Sequence, residues 1–401
     1  MSEDSLDRIV ERMLDGDELS RRTFVRHLAG AGLAVTGAST LLAACGGVEG
    51  TKDKAGEGPN TDVTHAKVAI DQLNFANWPL YIDEESIGLF EKETGGKVKY
   101  TEEINDNEEF FGKVRAQLER DQTIKRDIVV LTDWMAARWI RLNYVTPIDK
   151  ANVPNMGNLQ AGLTSPEFDK ERNFTLPWQS GITAIGYNPQ KTGRKLTSVN
   201  DLFDPKFKGR VSFLSEARDS VSLVMLASGI KPEDASIDDV LAAVEKLDEE
   251  NRKGQIRRFT GNDYTTDLTK GNLWAALAYS GDVIQLQADN PELEFLVPDE
   301  GAVLWSDNMM IPDKAEHPYA AEVLMNYVYD PVVAARIAAF VNYVTPVKGA
   351  QEELAKDDPE TAENELIFPT EATLAKLHPY PSLTDDEDRQ MNEAMQAVVG
   401  A

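Results

Sequence analysis

Apolar residues recur along this chain in short runs, with amphipathic stretches between them. Val68, Ile70, Leu73 and Phe75 mark residues 66–75 as a strand that stops at Asn77-Trp78-Pro79. Residues 83–94 read as a helix, with acids in the first turn and Gly95-Gly96 as the stop. A short strand is predicted at 97–101, and a helix at 106–120 with Phe110, Val114 and Leu118 on one face. The run D-I-V-V-L at 127–131, apolar from Ile128 on, reads as a buried parallel strand, followed by a helix over 134–142. This β-α-β-α-β order predicts an α/β domain with a parallel sheet.

A stretch rich in Pro and Asn, 147–173, separates this unit from a second. Strands are expected at 182–188, 209–214, 273–278, 294–297 and 302–311. Helical segments are expected at 201–203, 220–228, 237–249, 318–329 and 331–341, with an acidic, helical end after residue 374. In the last of the strands Trp305 and Asp307 stand two residues apart. A strand turns such residues to the same side, so an indole and a carboxylate share one face.

The first residues read as an address. S-R-R-T-F-V-R at 20–26, with Arg21 and Arg22, precedes an uncharged Gly/Ala/Leu run that ends in Leu42-Ala43-Ala44-Cys45. This resembles a twin-arginine export signal joined to a lipobox. The run is short for a membrane-spanning helix, which needs ~20 predominantly apolar residues. Residues 1–44 are expected to be removed, leaving Cys45 as a lipidated N-terminus. Residues 45–65, polar and Gly-rich, then tether the domain to the outer face of the cytoplasmic membrane, on the periplasmic or cell-surface side.

Composition narrows the chemistry. The 401-residue chain carries 68 acidic and 41 basic residues, a formal net charge of −27, which repels nucleic acid and favours cations. One cysteine excludes an intrachain disulfide, and the four histidines show no helical metal-ligand spacing. No zinc, P-loop, nucleophile-elbow or H-E-x-x-H motif is present, so neither a metal site nor a cofactor is expected. Two α/β units, an external address and no catalytic motif suggest a two-lobed binding protein rather than an enzyme.

Ligands of open α/β sheets bind beyond the carboxyl ends of the strands. Those ends offer Trp78, Trp134, Glu216 with Asp219, Tyr279, and Trp305 with Asp307. Carboxylates suit ammonium groups through charge-assisted hydrogen bonds. Flat rings suit methylene stems and attract cations by about 0.5–2 kcal/mol each. A polyamine carries both features. Blander readings stand beside this one. Trp139, Trp178 and Trp274 read as core. Trp134 is either a site ring or the first core residue of its helix, and Tyr279 is either a site ring or a core residue with an exposed hydroxyl. Glu216 and Asp219, at i and i+3, share a helical face that is also ordinary for a helix start.

Seven segments, in order, resemble the spermidine/putrescine-binding proteins of bacterial ABC importers. They are N-W-P-L-Y at 77–81, D-I-V-V-L-T-D-W at 127–134, P-W-Q-S-G-I-T-A-I-G-Y-N at 177–188, S-E-A-R-D at 215–219, A-Y-S-G-D at 278–282, W-S-D-N-M-M-I-P at 305–312 and N-Y-V-T-P at 342–346. The resemblance covers most of residues 66–350. It implies a two-lobed periplasmic-binding-protein-like fold, each lobe a mainly parallel sheet flanked by helices, with the ligand cleft between the lobes. Residues 66–183 plus 308–345 would form lobe 1, and 184–307 plus 346–401 lobe 2.

The same resemblance implies ligand-binding roles for Trp78, Tyr81, Thr132, Trp134, Glu216, Asp219, Tyr279, Trp305, Asp307 and Tyr343. Glu216 stands where Asp is common and Asp219 where Glu is common, and Pro79 replaces a polar residue. These departures leave the choice of polyamine open. The implied partners are a polyamine, the membrane subunits of an ABC importer and the twin-arginine export machinery, with the protein itself a monomer. Another solute on the same fold is the alternative: ferric ion, thiamine or a cationic amino-acid derivative. A glycosidase reading fails on geometry, because residues three apart on a helix lie too close to face each other across a bond.

Overall fold

The structure, a computed structural model, describes residues 61–104 and 106–400. The export signal with Arg21 and Arg22, the lipidation position Cys45 and the tether up to residue 60 lie outside them. No helix among the described residues is long and apolar enough to cross a membrane.

The strands are β1 (Gln72–Asn77), β2 (Lys97–Glu102), β3 (Ile128–Thr132), β4 (Val145–Thr146), β5 (Thr175–Tyr187), β6 (Val211–Leu214), β7 (Ile256–Thr260), β8 (Ala275–Tyr279), β9 (Glu294–Leu296), β10 (Ala302–Pro312) and β11 (Leu377–His378). The longer helices are α1 (Glu84–Thr94), α2 (Asn107–Leu118), α3 (Asp133–Arg141), α4 (Ala217–Ala227), α5 (Ile237–Arg252), α6 (Ser280–Gln287), α7 (Pro318–Val328), α8 (Pro331–Val341) and α9 (Asp385–Val399). Local chemistry sets several of their ends. The Asp83 carboxylate accepts from the Ser86 amide to open α1, and Gly95, at φ 78°, closes it. Asp106 caps α2 through the Glu109 amide.

The strand order is β2-β1-β3-β10-β5-β8-β6-β7, a mixed α/β sheet. β1, β2 and β3 are parallel, as are β6, β7 and β8. The two parallel sets meet through the long antiparallel pair β5 and β10. β3 ends where Thr132 faces Asp307, and β8 ends where Tyr279 faces Thr183, itself paired with Val303. The carboxyl ends of both sets therefore converge on β10 between Val303 and Asp307. At ~3.3 Å per residue that stretch spans about 13 Å, and Trp305 stands at its middle.

Several expectations shift. The strand expected from residue 66 begins at Gln72, because strand pairing starts there, with Lys97; Val68 is exposed instead of inward. β5 begins at Thr175 rather than 182 and is buried throughout. Asp307 pairs with Gln179 and Asn308 with Pro177, so Trp178 is an extra residue, a β-bulge. The bulge accommodates Pro177, which has no N–H to give to a ladder. Trp139 and Trp178 are buried core, while Trp274 is half-buried beneath the Arg210 guanidinium.

Candidate ligand site

The converging strand ends assemble an acid-and-aromatic cluster. Asp307 is buried, and its two carboxylate oxygens accept from the Thr132 hydroxyl at 2.8 Å and the Tyr81 hydroxyl at 3.0 Å. Thr132 is oriented in turn by Asn107 of α2, whose side chain donates to its hydroxyl at 2.9 Å and accepts from its amide. Across the cluster Asp219, in the first turn of α4, accepts from Thr183 at 2.6 Å, Tyr380 at 2.8 Å and Tyr279 at 3.1 Å. The Trp305 indole N–H donates to the Thr183 hydroxyl at 3.0 Å. Trp305 is thereby tied through Thr183 to Asp219.

The rings form a continuous row. Tyr279 meets Trp305 edge-on at 5.7 Å, Trp305 meets Tyr343 at 5.6 Å, and Tyr343 meets Tyr81 edge-on at 5.6 Å. Two glycines make room for it. A Cβ on Gly181, the register partner of Trp305, would lie 2.2 Å from the indole, and one on Gly281 would lie 2.6 Å from the Tyr343 ring. The Tyr343 hydroxyl donates to Asp282 at 3.1 Å.

The electrostatics are unusual for a protein interior. Among the described residues neither Asp219 nor Asp307 is paired with a lysine or arginine; hydroxyls are their only side-chain partners. Burial pushes Asp307 up to about 7, against the pull of its Thr132 and Tyr81 hydrogen bonds. Burial also raises Asp219 to about 6 and Asp133 to about 6. Glu216 rises to about 8, through burial and then the charge of Asp219. The helices α3, α4 and α6 start at these strand ends, and each carries an acid in its first turn: Asp133, Asp219 and Asp282. Those acids offset the positive helix ends and leave the cluster net negative.

Ten residues were expected at a site, and the structure brings seven of them together directly: Tyr81, Thr132, Asp219, Tyr279, Trp305, Asp307 and Tyr343. Glu216 borders Asp219, and its carboxylate accepts from the Arg218 amide as the cap of α4. Trp134 stands beside this group with both guanidiniums of Arg138 and Arg218 over its ring, at 5.3 and 4.9 Å. Trp78 is half-buried at the end of β1, its indole N–H donating to the Val130 carbonyl. Thr183, Tyr380 and the two glycines were not singled out as site residues. Gly181, Thr183 and Gly281 lie within segments that carry the resemblance, whereas Tyr380, between prolines in a polar tail, has no signal in the sequence. Among the described residues no group of three or more His, Cys, Asp and Glu side chains is placed to hold a metal.

Residues 87–369 match the family model described as bacterial extracellular solute-binding protein. The spermidine/putrescine-binding periplasmic protein of Salmonella typhimurium is 26% identical over 307 residues, 76% of this chain and 85% of that one. The putrescine/cadaverine-binding protein of Pseudomonas aeruginosa is 27% identical over 345 residues, 81% and 92% of the two chains. The solved spermidine/putrescine transporter substrate-binding protein of Streptococcus pneumoniae superposes with a TM-score of 0.70. It covers 82% of this chain and 98% of its own at 24% identity, and so shares the two-lobed fold. This chain belongs to the bacterial extracellular solute-binding proteins.

Proposed function

We propose that this extracellular solute-binding protein captures polyamines, spermidine or putrescine, and delivers them to an ABC importer. One observation carries the reading: two buried carboxylates, Asp307 and Asp219, lie on either side of Trp305, and among the described residues neither is paired with a lysine or arginine. An ammonium group at each would replace an unfavourable burial with charge-assisted hydrogen bonds. The methylene chain would lie along the row of Tyr279, Trp305, Tyr343 and Tyr81. Relatives named for spermidine, putrescine and cadaverine support the same ligand class.

In this reading Asp307 and Asp219 grip ammoniums, Thr132 orients Asp307, and Glu216 borders the Asp219 end as the cap of α4. Trp78 and Trp134 border the cleft. The lobes, 66–183 with 308–345 and 184–307 with 346–401, close over the ligand, and the importer's membrane subunits read the closed shape. Export by the twin-arginine route through Arg21 and Arg22, lipid anchoring at Cys45 and action as a monomer receptor rather than an enzyme complete the proposal.

Calorimetric titration of the purified protein with spermidine and putrescine, at low and physiological salt, tests it. Submicromolar binding of either supports it. Folded protein that gives no heat with both overturns it and leaves another solute of the same fold: ferric ion, thiamine or a cationic amino-acid derivative.

A further inference from the structure

One ion network lies outside the acid-and-aromatic row. Asp388, buried in the first turns of α9, accepts from Arg138 Nη2 at 2.5 Å through one oxygen and from Arg218 Nη2 through the other. Arg138 also meets Glu108 of α2 at 2.7 Å. Arg138 belongs to α3, which follows β3, whereas Arg218 belongs to α4, which follows β6. Between β3 and β6 the sheet interposes β10, β5 and β8. At ~4.8 Å per strand, a flat sheet would hold those two strands about 19 Å apart. One carboxylate gripping both guanidiniums therefore ties together two helices that follow strands four places apart in the sheet. The Trp134 ring, with a guanidinium from each set over it, fills the same seam.

The residues around Asp388 attach it to the second set. α9 packs against α5 and α4. Just before it, Tyr380 donates to Asp219, the Pro381 carbonyl accepts from Arg218, and β11 pairs with β10 at Ala302 and Val303. The Asp388–Arg218 pair thus stays within the second set, while Asp388–Arg138 spans from it to the first.

We propose that Asp388 is a built-in clasp, a positioning residue that holds the two walls of the cleft closed by gripping Arg138. It touches none of the ligand-binding groups assigned above. Its effect falls on how long the closed form lasts, and so on dissociation more than on association.

The clasp rests on the solute-binding reading only in part, so its test has two arms. In the first, stopped-flow kinetics with putrescine and spermidine compare wild type, D388N and R138Q. Both variants should release ligand about tenfold faster with association nearly unchanged, and D388E should restore slow release. In the second, small-angle scattering on the unliganded full chain needs no ligand. Both variants should shift the wild-type distribution toward a larger radius, whereas added salt should not, because a largely buried pair is poorly screened. Unchanged release and unchanged radius in R138Q would overturn the clasp. If D388N fails to fold, R138Q still decides, because it leaves the Arg218–Asp388 pair intact. If neither polyamine binds wild type, the proposed solute fails while the scattering arm still judges the clasp.

Discussion

Replacing Asp307 with Asn separates a ligand-receiving carboxylate from a structural one, because the two make opposite stability predictions. Asn keeps the shape and one acceptor oxygen for Thr132 or Tyr81, and its amide can donate to the other hydroxyl. The charge alone is lost. With no cation beside it that charge is unfavourable: burial raises the group from 3.8 to about 7. A raised carboxylate pKa means that the folded form binds the proton more tightly than the unfolded chain. The penalty is therefore absent below about pH 4, grows through the interval and is complete above about pH 7. At about 1.4 kcal/mol per pKa unit its upper limit is about 4 kcal/mol. D307N should accordingly melt higher than wild type at pH 8 without ligand, with the gap closing toward pH 4. Polyamine binding should move the other way. Removing one partner of a buried, hydrogen-bonded charge pair costs about 2–4 kcal/mol, roughly 30- to 1000-fold in Kd. Calorimetry and thermal melts on the same samples read both effects. A D307N protein that binds within about threefold of wild type, less than 1 kcal/mol, and melts lower would refute the reasoning.

Affinity for a polyamine should fall on acidification from about pH 8 to pH 5, since protons returning to Asp307 and Asp219, at about 7 and about 6, compete with ammonium groups; titrations across that range should approach about tenfold per pH unit for each proton displaced. Gly181→Ala places a methyl against the Trp305 indole and should weaken binding by about 1–2 kcal/mol, measured by calorimetry, with indole fluorescence reporting the displaced ring. Glu322, fully buried, accepts from the Asp149 amide and the Asn152 side chain and lies 2.6 Å from His65 Nδ1. Glu322→Ala should lower stability by about 2–4 kcal/mol in chemical denaturation without changing ligand affinity by more than its effect on the folded fraction.

The chain by itself determined its elements and one half of its chemistry. Alternation placed Trp305 and Asp307 on one side of a strand, and caps such as Asp83, Asp106 and Gly95 set helix ends, because these depend on residues a few positions apart. The seven ordered segments pointed to the two-lobed fold and to most of the residues now found together. Other features were decided only when distant strands paired. Residue 66 did not start a strand, since nothing pairs with it there, and β5 began early because a bulge absorbed Pro177. Asp219 became a partner of Trp305 through Thr183, and Tyr380 joined them from the far end of the chain. Trp134 came to lie beneath guanidiniums that follow two parallel sets, and Asp388 to bridge them. Periodicity tells which face of an element is apolar, but not which other face it meets. That choice follows from the strand order, in which both sets of carboxyl ends converge on the short stretch of β10 around Trp305.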